Sequence, residues 1–457
     1  MKKIIFFFFF LNQVAQAQVT VSTIVLSGNA KTQSDIIIRE LSFEKNMSYA
    51  TDDLEKKIEE SKENLVNLKL FNFVTINKTE NKYSTQTEIT IEVIEKWYIW
   101  PYPVFEISER NFNTWWKEFA GNNYSDFSRL NYGAFFNWEN FRGRNELLKL
   151  KIRKGFKEHY LLAYEVPYFN KNKTIGINTN LQFFRRKKTH YANYNNSLQY
   201  FESDNFNSID YDLNTEIVYR NNIHQKHKIK FTYLKSTVSD SISILNPNYL
   251  GGGNTTADLF NISYQLEHEK RDYIIYPLHG YALSLEIKKY FSSDMHHFEL
   301  LTKSENHIEP FNRFYIGSSF KTKYSSKGNQ SYFIQKALGY EDYVRGYEYY
   351  VVDGQSYWLS KTAIKYALIK KTNFDIPYVK MKQFNKSHYS LYLGIFSDLG
   401  YVRNSQNQGE NSLNNSLLWS KGIALDYVTY YDKLLRIEYS INALGEKGVF
   451  LHFSNPF

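Results

Sequence analysis

The sequence predicts a β-dominated membrane protein: a small β-α-α-β-β domain, then an antiparallel transmembrane β-barrel of about sixteen strands. Three observations predict it. From about residue 127 onward, runs of roughly ten residues alternate apolar and polar side chains, divided by clusters of Asn, Gly, Asp and Lys. The 457-residue chain is 18% aromatic, with 39 Tyr and 35 Phe. That load exceeds the needs of an ordinary core and suits a surface with two lipid–water boundaries. Beyond Ala17, no apolar stretch approaches the ~20 residues that a spanning helix requires. The mean hydropathy of −0.52 is compatible with a barrel, because only every second residue of a barrel strand faces lipid.

Residues 1–17 have the form of a secretory signal peptide. Lys2 and Lys3 start it, Ile4 to Leu11 form a short apolar core, and Ala15-Gln16-Ala17 offers a small-residue cleavage site, with Gln18 as the expected mature N-terminus. With no Cys at the cleavage point, a lipoprotein is not expected. Residues 18–96 form the small domain. Val19, Val21, Ile24 and Leu26 begin a strand that stops at the Gly28-Asn29 turn signal. Thr32 or Ser34 is placed to cap a first helix, and Thr51-Asp52-Asp53 to cap a second that buries Leu54, Ile58, Leu65 and Leu68. Phe71, Phe73 and Ile76 suggest a strand. Ile89, Ile91 and Val93 give a cleaner one, with Glu88, Thr90 and Glu92 on its other face.

Residues 97–126 read as an aromatic linker, because Pro101 and Pro103 remove backbone donors and break pairing. Residues 127–457 form the barrel. Its sixteen or so candidate strands start near 127–138 and end near 448–457, with one placed at 331–338. Leu283, Leu285 and Ile287, and Tyr389, Leu391, Leu393 and Ile395, show the alternation best. An even number of antiparallel strands can close without leaving backbone groups unpaired in lipid.

One stretch stands out within the barrel, Tyr340-Glu341-Asp342-Tyr343-Val344-Arg345-Gly346-Tyr347. Gly346 frees the backbone for a turn. Arg345 carries a permanent charge on a planar five-donor fork. Folded inward, that fork needs a carboxylate, and Asp398 in Phe396-Ser397-Asp398-Leu399-Gly400 is the best placed.

Val344-Arg345-Gly346-Tyr347 resembles the inward-folded sixth loop of the BamA/TamA-type assembly barrels and the two-partner-secretion transporters. Phe396-x-Asp398-x-Gly400 resembles the strand motif that pairs with that Arg. Gly28-Asn29, Arg39-Glu40-Leu41, Leu70 to Val74 and Val93-Ile94-Glu95 resemble a single POTRA domain. Asn140 to Asn145, Glu165-Val166-Pro167-Tyr168, and Arg271-Asp272 with Pro277 and Gly280 resemble further motifs of these bacterial surface antigen barrels. The terminal Phe453 and Phe457 resemble the C-terminal signal of outer-membrane proteins, and Pro456 is an oddity there.

The resemblance implies a Gram-negative outer-membrane location with the POTRA domain in the periplasm. It implies a role in outer-membrane protein insertion or polypeptide translocation, with a dedicated secretion channel or a passive pore as the alternative. Unfolded outer-membrane or secreted polypeptides would be the clients and the lipid bilayer the medium. Periplasmic chaperones or assembly-complex subunits are further candidate partners. Arg345, Gly346, Tyr347 and Asp398 would be a structural lock, and the first and last strands would meet at a seam.

Other chemistry is not expected. The chain has no Cys, which excludes disulfides and thiolate metal sites. It shows no nucleophile elbow, P-loop or dinucleotide fingerprint. His268-Glu269 lacks the second His of a zincin, because position 272 is Asp. Adjacent His296 and His297 would point to opposite faces of a strand beside Glu299. The expectation is therefore no enzyme, no cofactor and no metal. The formal net charge of +9 is read as solvated loops and a polar lumen rather than nucleic-acid binding.

Overall fold

The computed structural model describes residues 18–80, 85–107, 120–121, 123–124, 127, 129–292, 296–326, 330–406, 411–431 and 433–454. The signal-peptide reading, Pro456, Phe457 and most of the segment 108–128 lie outside the described residues. The chain divides into two compact units, one holding most of residues 1–95 and one holding 96–457.

In the first unit, β1 (Gln18–Ser27), β2 (Ser48–Ala50), β3 (Phe71–Glu80) and β4 (Gln86–Glu95) form one sheet in the order β2-β1-β4-β3. β1 and β4 run parallel, and the other neighbours are antiparallel. β4 alternates as the sequence requires: Ile89, Ile91 and Val93 are buried, while Glu88 and Glu92 are exposed. Helix α1 (Ser34–Ile38) buries Ile36 and Ile37. Helix α2 (Thr51–Asn67) buries Leu54 and Leu65, with Asn64 donating to the Glu40 carbonyl at 3.1 Å. Gly28 has φ +86°, and a Cβ there would lie 1.9 Å from the Val93 carbonyl oxygen, so the first turn needs glycine.

Two local expectations change. A three-residue strand, β2, is inserted between the helices. Because Ser48–Ala50 pairs with β1, the chain runs straight from sheet into helix. Ala50 then becomes the N-cap, without a side-chain cap bond, and Thr51 is already helical.

The second unit is built on a single antiparallel sheet of sixteen strands. In chain order these are β5 (Ile99–Ile107), β6 (Leu130–Phe141), β7 (Glu146–Gly155), β8 (Lys157–Val166) and β9 (Ile175–Arg186). After a separate hairpin, β10 (Lys188–Tyr194) with β11 (Ser197–Glu202), come β12 (Ser208–Asn222), β13 (Gln225–Val238), β14 (Thr256–Arg271), β15 (Gly280–Phe291) and β16 (Phe298–Phe311). The sheet continues with β17 (Phe314–Ser325), β18 (Ser356–Asp375), β19 (Lys386–Arg403), β20 (Leu417–Thr429), β21 (Lys433–Asn442) and β22 (Lys447–Ser454). Each pairs with its neighbours in sequence, apart from the β10–β11 hairpin that stands outside the ladder.

The two ends of the sheet come together. The Trp97 N–H donates to the Tyr431 hydroxyl at 3.1 Å, and the Trp100 ring meets Tyr431 edge-on at 5.5 Å. Tyr431 belongs to the β20–β21 turn, so the start of the first strand lies beside one of the last turns and the sheet closes as a barrel. Leu283, Leu285, Ile287, Leu393, Ile395, Ile423, Ile437, Val449, Leu451 and Phe453 are exposed on the outer face. Tyr392, Phe396, Asp398, Asp426 and Glu438, alternating with them, are buried inside. In lipid, that outer face is the apolar band of a membrane barrel, and no described helix is long and apolar enough to cross a membrane.

The strand number agrees with the expectation, but the membership does not. The aromatic segment read as a linker contains β5, paired with β6 from Ile99↔Trp138 to Ile107↔Leu130. The candidate at 331–338 is not a strand. It holds a short 3-10 turn at Tyr332–Ile334 in the long β17–β18 loop. The seam expected between residues 127–138 and 448–457 therefore lies between β5 and β22.

Candidate functional site

The β17–β18 loop is the centre of the barrel interior. Leu338 and Val352 exchange backbone hydrogen bonds at 3.0 and 2.8 Å, which closes the loop on itself. Gly339 at φ +94° makes the turn inside that closure. Leu338, Val344, Tyr347 and Val352 then pack with Leu359, Val402, Leu413 and Leu418 from the wall and a neighbouring loop. An apolar face on each side of the segment holds it inward.

Arg345 is the polar fastening. Its Nε donates to Asp398 Oδ2 at 2.8 Å, its Nη2 to Oδ1 at 2.5 Å, and its backbone N–H to Oδ2 at 3.2 Å. Asp398 is wholly buried and Arg345 is 6% exposed. The guanidinium lies 3.7 Å from the centroid of the Phe396 ring, a close cation–π contact. Each member of Phe396-x-Asp398-x-Gly400 thus has a physical task, and the period of two points all three inward. Phe396 floors the guanidinium, Asp398 neutralises it, and Gly400 leaves room for Val344. A Cβ on Gly400 would lie 2.6 Å from Val344 Cγ2. Gly422, on the next strand, makes the space for the Phe396 ring in the same way.

Gly346 has φ +84°, and its carbonyl accepts from Asn442 Nδ2 at 2.9 Å. The Tyr347 hydroxyl donates to the Trp419 carbonyl at 3.4 Å and accepts from the Ala443 N–H at 3.3 Å. Arg345, Gly346 and Tyr347 therefore tie one loop to β19, β20 and the end of β21. The four residues expected to form the lock are brought together.

The other motifs also resolve into geometry. Asp272 Oδ1 accepts the N–H groups of Leu278 and His279, at 3.0 and 3.1 Å, and closes the turn between β14 and β15. Gly280 follows at φ +88°, where a Cβ would strike the Lys270 carbonyl oxygen at 1.9 Å. The turn carries Tyr276 into the lumen, where its hydroxyl donates to Asp426 at 2.7 Å. Arg436 holds the same carboxylate in two bonds, at 2.6 and 2.9 Å. In the β6–β7 turn, Asn140 Oδ1 accepts the Asn145 N–H at 2.8 Å, and Gly143 sits at φ +71°.

The seam has its own chemistry. The Glu139 N–H donates to the Tyr98 carbonyl at 2.7 Å, which fixes the phase of the β5–β6 ladder. Trp100, Tyr102, Val104 and Glu106 turn their backbone groups to β6. Ile99, Pro101, Pro103, Phe105 and Ile107 turn theirs the other way, toward β22. The two prolines therefore break no bond to β6, and they remove two donors from the seam edge. On β22, the Asn442 N–H bond to the Glu446 carbonyl at 3.1 Å sets the phase. Lys447, Val449, Leu451 and Phe453 face the seam with their backbone and, at Val449, Leu451 and Phe453, present exposed side chains. Among the described residues, no ladder joins β5 to β22.

At the end bearing the long loops, the β10–β11 hairpin is laced to its neighbours. The Asn196 N–H donates to Asn411 Oδ1 at 2.7 Å, and Asn411 Nδ2 donates to the Asn193 carbonyl at 3.0 Å. The Val351 N–H donates to the Asn196 carbonyl at 2.9 Å. This hairpin was not legible in the sequence, because His190, Ala192 and Tyr200 carry no clear alternation.

The His296-His297-Glu299 group does not converge on a cation. His296 is exposed and His297 buried, stacked on Tyr290 at 4.4 Å. Glu299 is engaged by the Ser325 hydroxyl at 3.2 Å and by Lys323 at 3.8 Å. A different set, Glu348, Glu438 and His452, does converge inside the barrel. Sequence reading missed it, because no spacing links three residues on a loop and two strands.

No protein-family model matches the chain, and no curated protein does. Solved structures do match. BamA from Haemophilus ducreyi lacking POTRA domains 1–3 superposes with a TM-score of 0.54 at 14% identity, covering 95% of this chain and 84% of that one. CdiB from Escherichia coli gives 0.53 at 10% identity, covering 95% of this chain and 75% of that one. This chain, with its small mixed domain and sixteen-stranded barrel, is thus similar in fold to BamA and CdiB across nearly its whole length.

Proposed function

We propose that this chain is an outer-membrane insertion or translocation barrel of the BamA/TamA type, with one POTRA-like domain in the periplasm of a Gram-negative cell. The seam is the observation that carries the reading. A closed barrel gains nothing from two prolines whose missing donors both face the closing edge. A barrel that must open there gains a low barrier. An unfolded client strand would pair with the freed edge of β5 or β22 by backbone hydrogen bonds, which are largely blind to sequence. β3 lies at one side of the small domain's sheet, and as an edge strand it can receive an extended client in the same manner.

The lock has a positional task in this scheme. Arg345 and Asp398 hold the loop against β19, so the wall from β18 to β20 stays rigid while the seam opens. The lacing of the β10–β11 hairpin to Val351 and Asn411 favours a client that leaves sideways over free passage through the lumen, which argues against a passive pore. Export of one dedicated partner is the second reading, because the resembled family includes two-partner-secretion transporters and the inward loop fills the same space in either case.

Deletion of the gene followed by quantitative outer-membrane proteomics tests the proposal. Insertion predicts a coordinated fall of several barrel proteins. Loss of one secreted protein with barrel levels unchanged supports the dedicated channel instead.

A further inference from the structure

Three ionisable side chains meet inside the barrel where the inward loop touches the last two strands. Glu438 on β21 and His452 on β22 are diagonal neighbours, because Glu438 pairs with Phe450 and Arg436 with His452. Glu348 arrives from the loop, near Arg345. His452 Nε2 lies 3.0 Å from Glu438 Oε1 and 3.6 Å from Glu348 Oε1. One potential donor atom from each residue falls within 4.8 Å of the others.

The cluster is short of donors. The Glu438 side chain is wholly buried and that of Glu348 is 14% exposed. Both Glu348 oxygens and Glu438 Oε2 are buried without a hydrogen-bond partner. A single imidazole N–H cannot satisfy them. The neighbouring cations are committed elsewhere: Arg436 to Asp426, Arg345 to Asp398, and Lys361 over the Tyr343 ring at 4.4 Å. The other face of the imidazole is organised as a metal ligand's would be. Nδ1 meets the Tyr343 hydroxyl at 3.3 Å, and the two rings stack at 5.8 Å.

We propose that Glu348, Glu438 and His452 form a divalent transition-metal site, with Zn2+ the preferred ion, that clamps the terminal strand to the inward loop. Tetrahedral Zn2+ with N and O ligands places its donors about 3.4 Å apart, between the two measured separations. Two carboxylates cancel the charge of the ion, and a fourth position is left for water. The imidazole selects against Mg2+ and Ca2+, which prefer all-oxygen shells. The site spans a loop, β21 and β22, so the bound ion adds a bond between the seam strand and the interior.

The test uses the full chain without a His tag, folded in detergent micelles and stripped with a chelator. Zn2+ is titrated against a chromophoric competitor, and Co2+ is followed by its visible absorption. The expected result is one equivalent of Zn2+, an intense four-coordinate Co2+ spectrum, and no comparable binding of Mg2+ or Ca2+. Glu438→Gln and His452→Ala each abolish stoichiometric binding, and Tyr343→Phe weakens it by about 10-fold or more. Heat-modifiable mobility reports folding in each variant. If a strand variant fails to fold, Glu348→Gln on the loop and the wild-type Co2+ spectrum decide. A folded wild-type barrel that takes up no stoichiometric Zn2+ overturns the proposal, as do ligand variants that bind it equally well. Binding is read without any client, so its failure is separate from failure of the insertion reading.

Discussion

Removing Arg345 should cost more than removing Arg345 and Asp398 together. Arg345→Ala deletes two side-chain hydrogen bonds to Asp398 and the stack on Phe396. It leaves a wholly buried carboxylate with Lys361 directly across the ladder from it. A buried charge stripped of its partner costs about 3–5 kcal/mol, and Lys361 brings the expected loss toward the lower end. Asp398→Leu strands the guanidinium in the same way. The double variant Arg345→Met with Asp398→Leu replaces the pair by apolar groups of similar reach, a change that is often neutral, so its loss should stay below about 1–2 kcal/mol. Arg345→Lys keeps the charge but loses the planar fork, and should fall between. Urea unfolding of the folded barrel in liposomes, followed by heat-modifiable mobility, measures all four. A double variant as damaged as Arg345→Ala would refute the idea that the pair is held by mutual neutralisation. An unchanged unfolding midpoint for Arg345→Ala would refute the lock altogether.

Other positions give independent tests. Pro101→Val combined with Pro103→Val returns two donors to the seam edge, each worth about 0.5–1.5 kcal/mol. Unfolding should shift to higher denaturant and client insertion should slow, whereas faster insertion in a more stable barrel would contradict the seam argument. Gly400→Val forces a side chain into the space of Val344, an overpacking cost of about 1–3 kcal/mol. The displaced loop should become cleavable by trypsin at Arg345, and a protected loop would count against the packing described. Asn411→Ala leaves the Asn196 N–H and the Asn193 carbonyl without their Asn411 partner, at about 1–3 kcal/mol. It should raise single-channel conductance in planar bilayers, and unaltered conductance would mean that the lacing does not close the long-loop end.

Much of this molecule is legible locally. The period of two at Ile89, Ile91 and Val93, or at Leu283, Leu285 and Ile287, is visible in the sequence because a strand sends alternate side chains to opposite faces wherever one face is apolar. The Arg345–Asp398 pairing is legible for a different reason. An inward-turned guanidinium has few tolerable partners, and an acid flanked by Phe396 and Gly400 is shaped for it. The miss at Ile99–Ile107 has a physical cause. Proline does break pairing, but only on the edge to which its nitrogen points, and the phase of a ladder is set by its neighbour. Residues 331–338 misled in the opposite sense, because a loop buried in a lumen carries apolar residues like those of a wall strand.

By itself, then, the sequence determined the class of structure, the alternation of the wall, the turn glycines and the charge pair, since each follows from backbone geometry or the chemistry of one or two side chains. Tertiary structure alone decided which strands meet at the seam, that Pro101 and Pro103 face it, and that Glu348, Glu438 and His452 share one corner of the lumen. Those facts depend on register and closure. A sheet of sixteen strands brings together residues whose distance along the chain carries no trace of their distance in space.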